Sequence, residues 1–225
     1  MRRQITRLFE RHDPIMRRAL TPAEARVWIR PTNGDHSLYR PDEIMKDIGD
    51  FTHELPLKAS AVLVPIVERG DQLSILLTKR SAHLKSHSGQ VSFPGGRCDD
   101  DDLHAMATAL REAKEEINLP QSHVEVIGAM EDYETVTGYS VSPVVGFVNP
   151  DFKMILQQSE VEEVFEVPLD FILNEKNHTI ESIHWRGKKR YYYVFPHEQY
   201  KIWGATAAML VRFARLVNEY EQCAA

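Results

Sequence analysis

Cysteine is almost missing from this chain. Cys98 and Cys223 are its only two, with no C-x-x-C pair. That excludes a disulfide framework and a cysteine metal knuckle, and it fits a reducing compartment. No run of about 18 apolar residues occurs, so no spanning helix and no membrane partner are expected. The first residues, MRRQITRLFERHD, are charged throughout and lack the apolar stretch of a secretory signal. These features predict a cytoplasmic protein. An excess of basic charge is missing too: 27 Lys+Arg stand against 33 Asp+Glu, a net charge of −6. Nucleic acid is therefore not expected as a partner. A bound polyanion would have to be met by a local basic patch or by a metal. Internal repeats and low-complexity stretches are absent as well. What is present is ordinary globular composition, with 43% hydrophobic and 27% charged residues in 225, enough to bury a core without staples.

Along the chain, residues 1–55 read as a peripheral helical extension. Ile5, Leu8 and Phe9 make an apolar stripe, Thr21 with Glu24 reads as a capping box, and Pro31 with Asn33-Gly34 breaks that second helix. SAVLVPIVER (59–68) is a buried strand by its β-branched content, and Gly70-Asp71 turns into a second, LSILLTKR. From Ser81 to Gly96 the texture changes to His, Ser, Gly and Pro, the composition of a functional loop. A helix over about 103–118 follows, then strands near 123–132, 140–148 and 161–168, and a short helical segment from Pro168. HTIESIHWR and KRYYYVF read as two strands joined at Gly187, with Tyr191 to Tyr193 as ordinary strand residues. The last helix spans about 203–220, with Trp203 as its packed start. Strands and helices mix without strict alternation, which predicts an α+β mixed sheet between helices.

The helix at 103–118 holds the chemistry. At 100° per residue, Leu103, Met106, Leu110, Ala113 and Ile117 form one apolar stripe, while Glu112, Glu115 and Glu116 cluster on another face. Asp102 is positioned as the N-cap, behind a run of four aspartates that suits the positive helix end. A solvated acidic face, with Arg111 pairing Glu115 at i, i+4, is the ordinary explanation. Two features speak against it. Three carboxylates at i, i+3 and i+4 repel one another, a cost that a hard divalent cation removes. The segment from Lys79 to Arg97 carries Lys79, Arg80, Lys85, Arg97, His83 and His87 but no acid. A metal-loading face beside an acid-free basic loop is what a Mg²⁺-dependent reaction on phosphates needs.

Gly96…Arg111-Glu112-Ala113-Lys114-Glu115-Glu116 resembles the box of the Nudix hydrolases, which cleave nucleoside diphosphates linked to another moiety. LLTKRSAHLKSHSGQVSFPGG (76–96) resembles the additional motif of the coenzyme A pyrophosphohydrolase branch, as do VTGYSVSPVVG (136–146) and IWGATA (202–207). The resemblance covers about residues 57–207. It implies a Nudix-type α/β/α sandwich with a mixed sheet over 56–190, extended by 1–55 in front and by a final strand and helix over 191–225. It implies Mg²⁺ or Mn²⁺ as cofactor, with Glu112 and Glu116 as principal ligands and Glu115 as a further ligand or water-orienting group. Arg111 would steer a glutamate. The implied substrate is coenzyme A, held by Arg80, Lys85, His87, Gly89, Gln90, Gly95, Gly96 and Arg97 and split into 3′-phosphoadenosine 5′-phosphate and 4′-phosphopantetheine. Three departures stand out. Asn118 fills the usual glycine position after the paired glutamates, Lys85 fills that of a second arginine, and the box is one residue longer than usual, with Asp99 or Asp102 at its acidic position.

The general base is less sharply marked. The segment from Glu160 to Phe165 offers Glu160, Glu162 and Glu163. On an extended chain Val161, Glu163 and Phe165 would share one face. Glu160 is preferred, because it precedes the strand and follows a polar loop. Gly95 and Gly96 could equally be plain turn formers, His83 and His87 solvated loop residues, Met106 core and Cys98 incidental. Two other functions stay open: hydrolysis of another nucleotide diphosphate by the same fold, and a catalytically silent nucleotide-binding protein. Residues 1–55 are equally suited to capping the core or forming a homodimer face.

Overall fold

A continuous aliphatic run such as Ala61–Val67 cannot face water on either side, so it belongs in the centre of a sheet. The computed structural model, which describes residues 1–12, 56–84, 86–185 and 188–224, places this run in strand β1 (Lys58–Arg69). Alternation sends Ala61, Leu63 and Val67 to one apolar cluster and Val64 and Ile66 to another on the opposite face. After a turn at Gly70, where φ is +63°, β2 (Gln72–Arg80) returns antiparallel along the second half of β1. The first half of β1 is lined antiparallel by β4 (Gly95–Arg97), and β7 (Tyr139–Val148) runs parallel along its other edge. Strands β3 (Val91–Ser92) and β8 (Val161–Pro168) pair with β2, while β5 (Val124–Ala129) and β6 (Tyr133–Glu134) pair with β7, completing a mixed eight-stranded sheet.

Helix α1 (Arg2–His12) buries Ile5, Leu8 and Phe9 in the larger cluster. Helix α2 (Ala105–Ile117) lies on the opposite face of the sheet, where Ala109, Leu110, Ala113 and Ile117 meet Ala61, Leu63 and Val144. Helix α3 (Leu169–Leu173) and the long α4 (Gly204–Ala224) join α1 on its side. A three-stranded antiparallel sheet of β9 (Thr179–Trp185), β10 (Lys188–His197) and β11 (Tyr200–Trp203) adds Tyr193, Phe195 and Ile202 to the same cluster. This is the expected α+β sandwich, with a helix at the start and another at the end.

Several expectations need correction. His104, not Asp102, is the N-cap of α2: its Nδ1 accepts the Ala107 N–H at 3.0 Å. Leu103 therefore falls outside the helix and is exposed, and Met106 packs only at the rim of its cluster. Trp203 ends β11 with 39% of its surface exposed, and α4 starts one residue later. Simple alternation fails in β8 because a bulge between Lys79 and Arg80 shifts the register with Val161. Val161 consequently joins the α2-side cluster, while Phe165 packs on the opposite side and stacks on Tyr200 at 3.6 Å. The Thr21–Glu24 box, the breaker at Pro31 to Gly34, Lys85 and Gly187 lie outside the described residues.

Candidate active site

Two glycines bring a strand against a helix. A Cβ at Gly95 would stand 2.4 Å from the Ala61 carbonyl oxygen, and one at Gly96 would stand 2.5 Å from the Glu112 carboxyl carbon. Only residues without side chains let β4 fit between β1 and α2. Gly95 and Gly96 are thus more than turn formers.

The approach places β4 over the carboxylates. Gly95 N–H donates to Glu116 Oε2 at 3.2 Å, and Glu116 is 3% exposed. Burial, with smaller contributions from the charges of Glu112 and Glu160, pushes the Glu116 carboxyl up to about 8, against the pull of the Gly95 N–H and Arg80. Glu112 is half-buried, and burial raises its pKa too, opposed by Arg111 and reinforced by Glu115 and Glu160. Glu115 is the exposed member of the set, with Arg111 Nη1 donating to its Oε2 at 3.2 Å.

Arg111 spreads one guanidinium over four groups. Nε and Nη2 donate to Asp102 at 3.1 and 2.8 Å, Nη1 donates to Glu112 Oε1 at 2.9 Å, and Nη2 also reaches the Arg97 carbonyl at 3.1 Å. The bidentate pair holds the Asp102 carboxyl down to about 2 and raises the Arg111 pKa. Asp102, which also accepts from Thr108 Oγ1 at 2.8 Å, anchors the arginine that orients Glu112. That role was hidden behind the capping reading; a carboxylate nine residues before an arginine, outside the helix that carries it, is a weak signal on its own. Cys98 lies beside Thr108, and burial pushes its thiol up.

The loop after β2 delivers Arg80 to the same place. Arg80 N–H donates to the Gln90 carbonyl at 2.9 Å, and its own carbonyl accepts from Gly89 N–H at 3.1 Å. Its charge acts on Glu116, yet among the described residues its buried Nε has no hydrogen-bond partner. Gly89 and His87 take positive φ, +69° and +57°, and His87 Nδ1 lies 2.8 Å from Gln90 Oε1, so these residues shape the loop. His87 is exposed, as is the side chain of Arg97. Glu160 sits where the loop and β8 meet: its carbonyl accepts from Ser81 N–H at 2.8 Å, and its charge is felt by both Glu112 and Glu116. Glu162 and Glu163 are engaged elsewhere, the first with Lys79 Nζ at 2.7 Å and the second with Tyr200 Oη at 2.5 Å.

As arranged, no three Asp, Glu, His or Cys side chains are gathered to hold an ion among the described residues. Glu112 is turned to Arg111 and Glu116 to the Gly95 N–H. The donor chemistry nevertheless suits a hard divalent cation. The charges of Glu115 and Glu160 disfavour ionisation of Glu112, those of Glu112 and Glu160 disfavour ionisation of Glu116, and a cation converts that cost into ligation.

A family model, the NUDIX domain, matches residues 57–198. NudL, an uncharacterized Nudix hydrolase of Escherichia coli K12, is 46% identical over 157 residues, covering 70% of this chain and 81% of that protein. The chain belongs to the Nudix family. It is a hydrolase of pyrophosphate bonds, in a family that generally works with divalent cations. Similar solved Nudix structures include the MutT protein of Methanosarcina mazei, with 19% identity, a TM-score of 0.47 and coverage of 76% of this chain and 97% of that one. An Ap4A hydrolase binary complex from C. elegans has 21% identity and a TM-score of 0.42, covering 51% of this chain and 82% of that one. Among the described residues, no helix is long and apolar enough to cross a membrane.

Proposed function

We propose that this Nudix hydrolase cleaves the diphosphate of coenzyme A, or of its acyl or oxidised forms, into 3′-phosphoadenosine 5′-phosphate and 4′-phosphopantetheine. The observation that carries the reading is Arg80: a half-buried cation whose buried Nε has no partner among the described residues, acting on Glu116 from a segment that holds no acid between Lys79 and Arg97. An orphan donor beside carboxylates is a seat for a phosphate oxygen. The segment also has more positive charge than one diphosphate needs, and the 3′-phosphate of coenzyme A would use the surplus. Gln90, Gly89 and His87 hold the loop in shape, Gly95 and Gly96 keep β4 close against Glu112 of α2 beside the diphosphate, and the exposed Arg97 adds charge, as Lys85 does to the charge sum of the segment.

Glu112 and Glu116 would hold Mg²⁺ or Mn²⁺, with Glu115 as a further ligand, and the cation supplies charge neutralisation on the diphosphate. Arg111 keeps Glu112 aimed. Glu160 takes a proton from the attacking water as its oxygen bonds to phosphorus, while the bridging P–O bond breaks and the second phosphate leaves as an anion.

The reading predicts a higher kcat/KM for coenzyme A than for ADP-ribose, NADH or diadenosine polyphosphates, and a lower one for 3′-dephospho-coenzyme A. A substrate panel in Mg²⁺ and in Mn²⁺, resolved by product chromatography, measures this. Equal rates with and without the 3′-phosphate would remove the basic segment from substrate selection. No turnover of any diphosphate would favour a silent binding protein.

A further inference from the structure

Asn118 is more than the cap of the helix that carries the glutamates. It ends α2 in the left-handed region, with φ 58° and ψ 28°, a conformation that glycine adopts more easily than asparagine. Its side chain is held at both ends. Lys114 Nζ donates to Oδ1 at 2.5 Å, and Nδ2 donates to the Lys153 carbonyl oxygen at 2.7 Å. An ammonium only donates and a carbonyl only accepts, so these two neighbours fix which way the amide faces. Lys153 stands at the head of a short run sewn to the same helix end. Ile155 N–H donates to the Ile117 carbonyl at 3.3 Å, and Gln157 N–H donates to the Glu116 carbonyl at 2.9 Å. Gln157 in turn accepts from Glu160 N–H at 2.8 Å. A continuous set of hydrogen bonds therefore leads from the Asn118 amide to the backbone of Glu160, and its last link to the helix is the backbone of Glu116 itself.

We infer that Asn118 is a positioning residue for catalysis: its amide tethers the 153–160 segment to the end of α2 and so sets Glu160 relative to Glu112 and Glu116. A glycine at this place would complete the cap and leave the segment untied on that side. The inference rests on the reading of Glu160 as the proton acceptor.

The test uses Asn118→Gly, which keeps the backbone conformation without the amide, and Asn118→Asp, which keeps the side chain's shape without its N–H donor. Each is expected to lower kcat on coenzyme A about tenfold, with KM within about twofold and the melting temperature little changed. If Asn118 only caps the helix, Asn118→Gly turns over at the wild-type rate, and the inference is overturned. Glu160→Gln supplies the second side of a double-mutant cycle. The tether predicts that Asn118→Gly changes kcat by less than about twofold once Glu160 is already Gln. Full additivity would mean that Asn118 acts elsewhere, which also overturns it. Should Glu160→Gln itself leave kcat unaltered, the assignment of Glu160 fails, whereas a slow Glu160→Gln beside a normal Asn118→Gly rejects the tether alone.

Discussion

Glu116 is where stability and chemistry oppose each other most directly. Its carboxyl is held at about 8 in the cation-free protein, against 4.5 for an ordinary glutamate, chiefly because it is buried. Between these two values the folded chain keeps a proton that the unfolded chain has released, so stability of the cation-free protein falls as pH rises through that window. Glu116→Gln removes the titration and keeps an oxygen for the Gly95 N–H. The variant should melt higher than wild type at pH 8 in a chelator, with the difference vanishing near pH 4. Turnover should fall by at least about 10²-fold. Thermal melts across pH, paired with steady-state rates, check both halves. Near-native turnover in saturating Mg²⁺ would remove Glu116 from the ligand set.

Elements were legible to different depths. The aliphatic run of β1 and the glycine after it announced a central strand and its partner, since burial on two faces leaves little choice of residue. The N-terminus of α2 was misread by two residues, because Asp102 and His104 can each cap a helix and the choice was made at a distance: Arg111 claims Asp102. His104→Ala should then cost about 1 kcal/mol in chemical denaturation, while His104→Asp, which restores an acceptor at the positive helix end, should cost nothing. The three glutamates were legible as a group by helical spacing, but their separate surroundings were not. Glu116 is buried and Glu115 exposed because β4 covers one side of the helix, and that cover comes from Gly95, 21 residues away in the sequence. The bulge opposite Arg80 was invisible for the same reason, since register is a property of two strands rather than one.

At the scale of the molecule, the eight-stranded sheet divides the interior into two unequal parts. Helix α1 belongs to the larger: Phe9 is 3% exposed and lies over Gly128, where a Cβ would come within 2.7 Å of its ring. Arg2 ties the same helix to Glu68 and Glu125 and sits 4.3 Å above the Phe147 ring. Phe9→Ala should therefore lower stability by about 3 kcal/mol or more, measured by denaturant titration, with kcat per folded molecule unchanged. The expectation of unchanged turnover follows from the partition. The glutamates sit on α2, with Gly96 against Glu112 and the charge of Arg80 acting on Glu116, on the side of the smaller part and across the sheet from α1, α3 and α4. Substitutions that tune tolerance to heat can accumulate behind the sheet without revisiting the geometry in front of it, so a lineage carrying this fold can change its habitat temperature and its substrate on separate schedules.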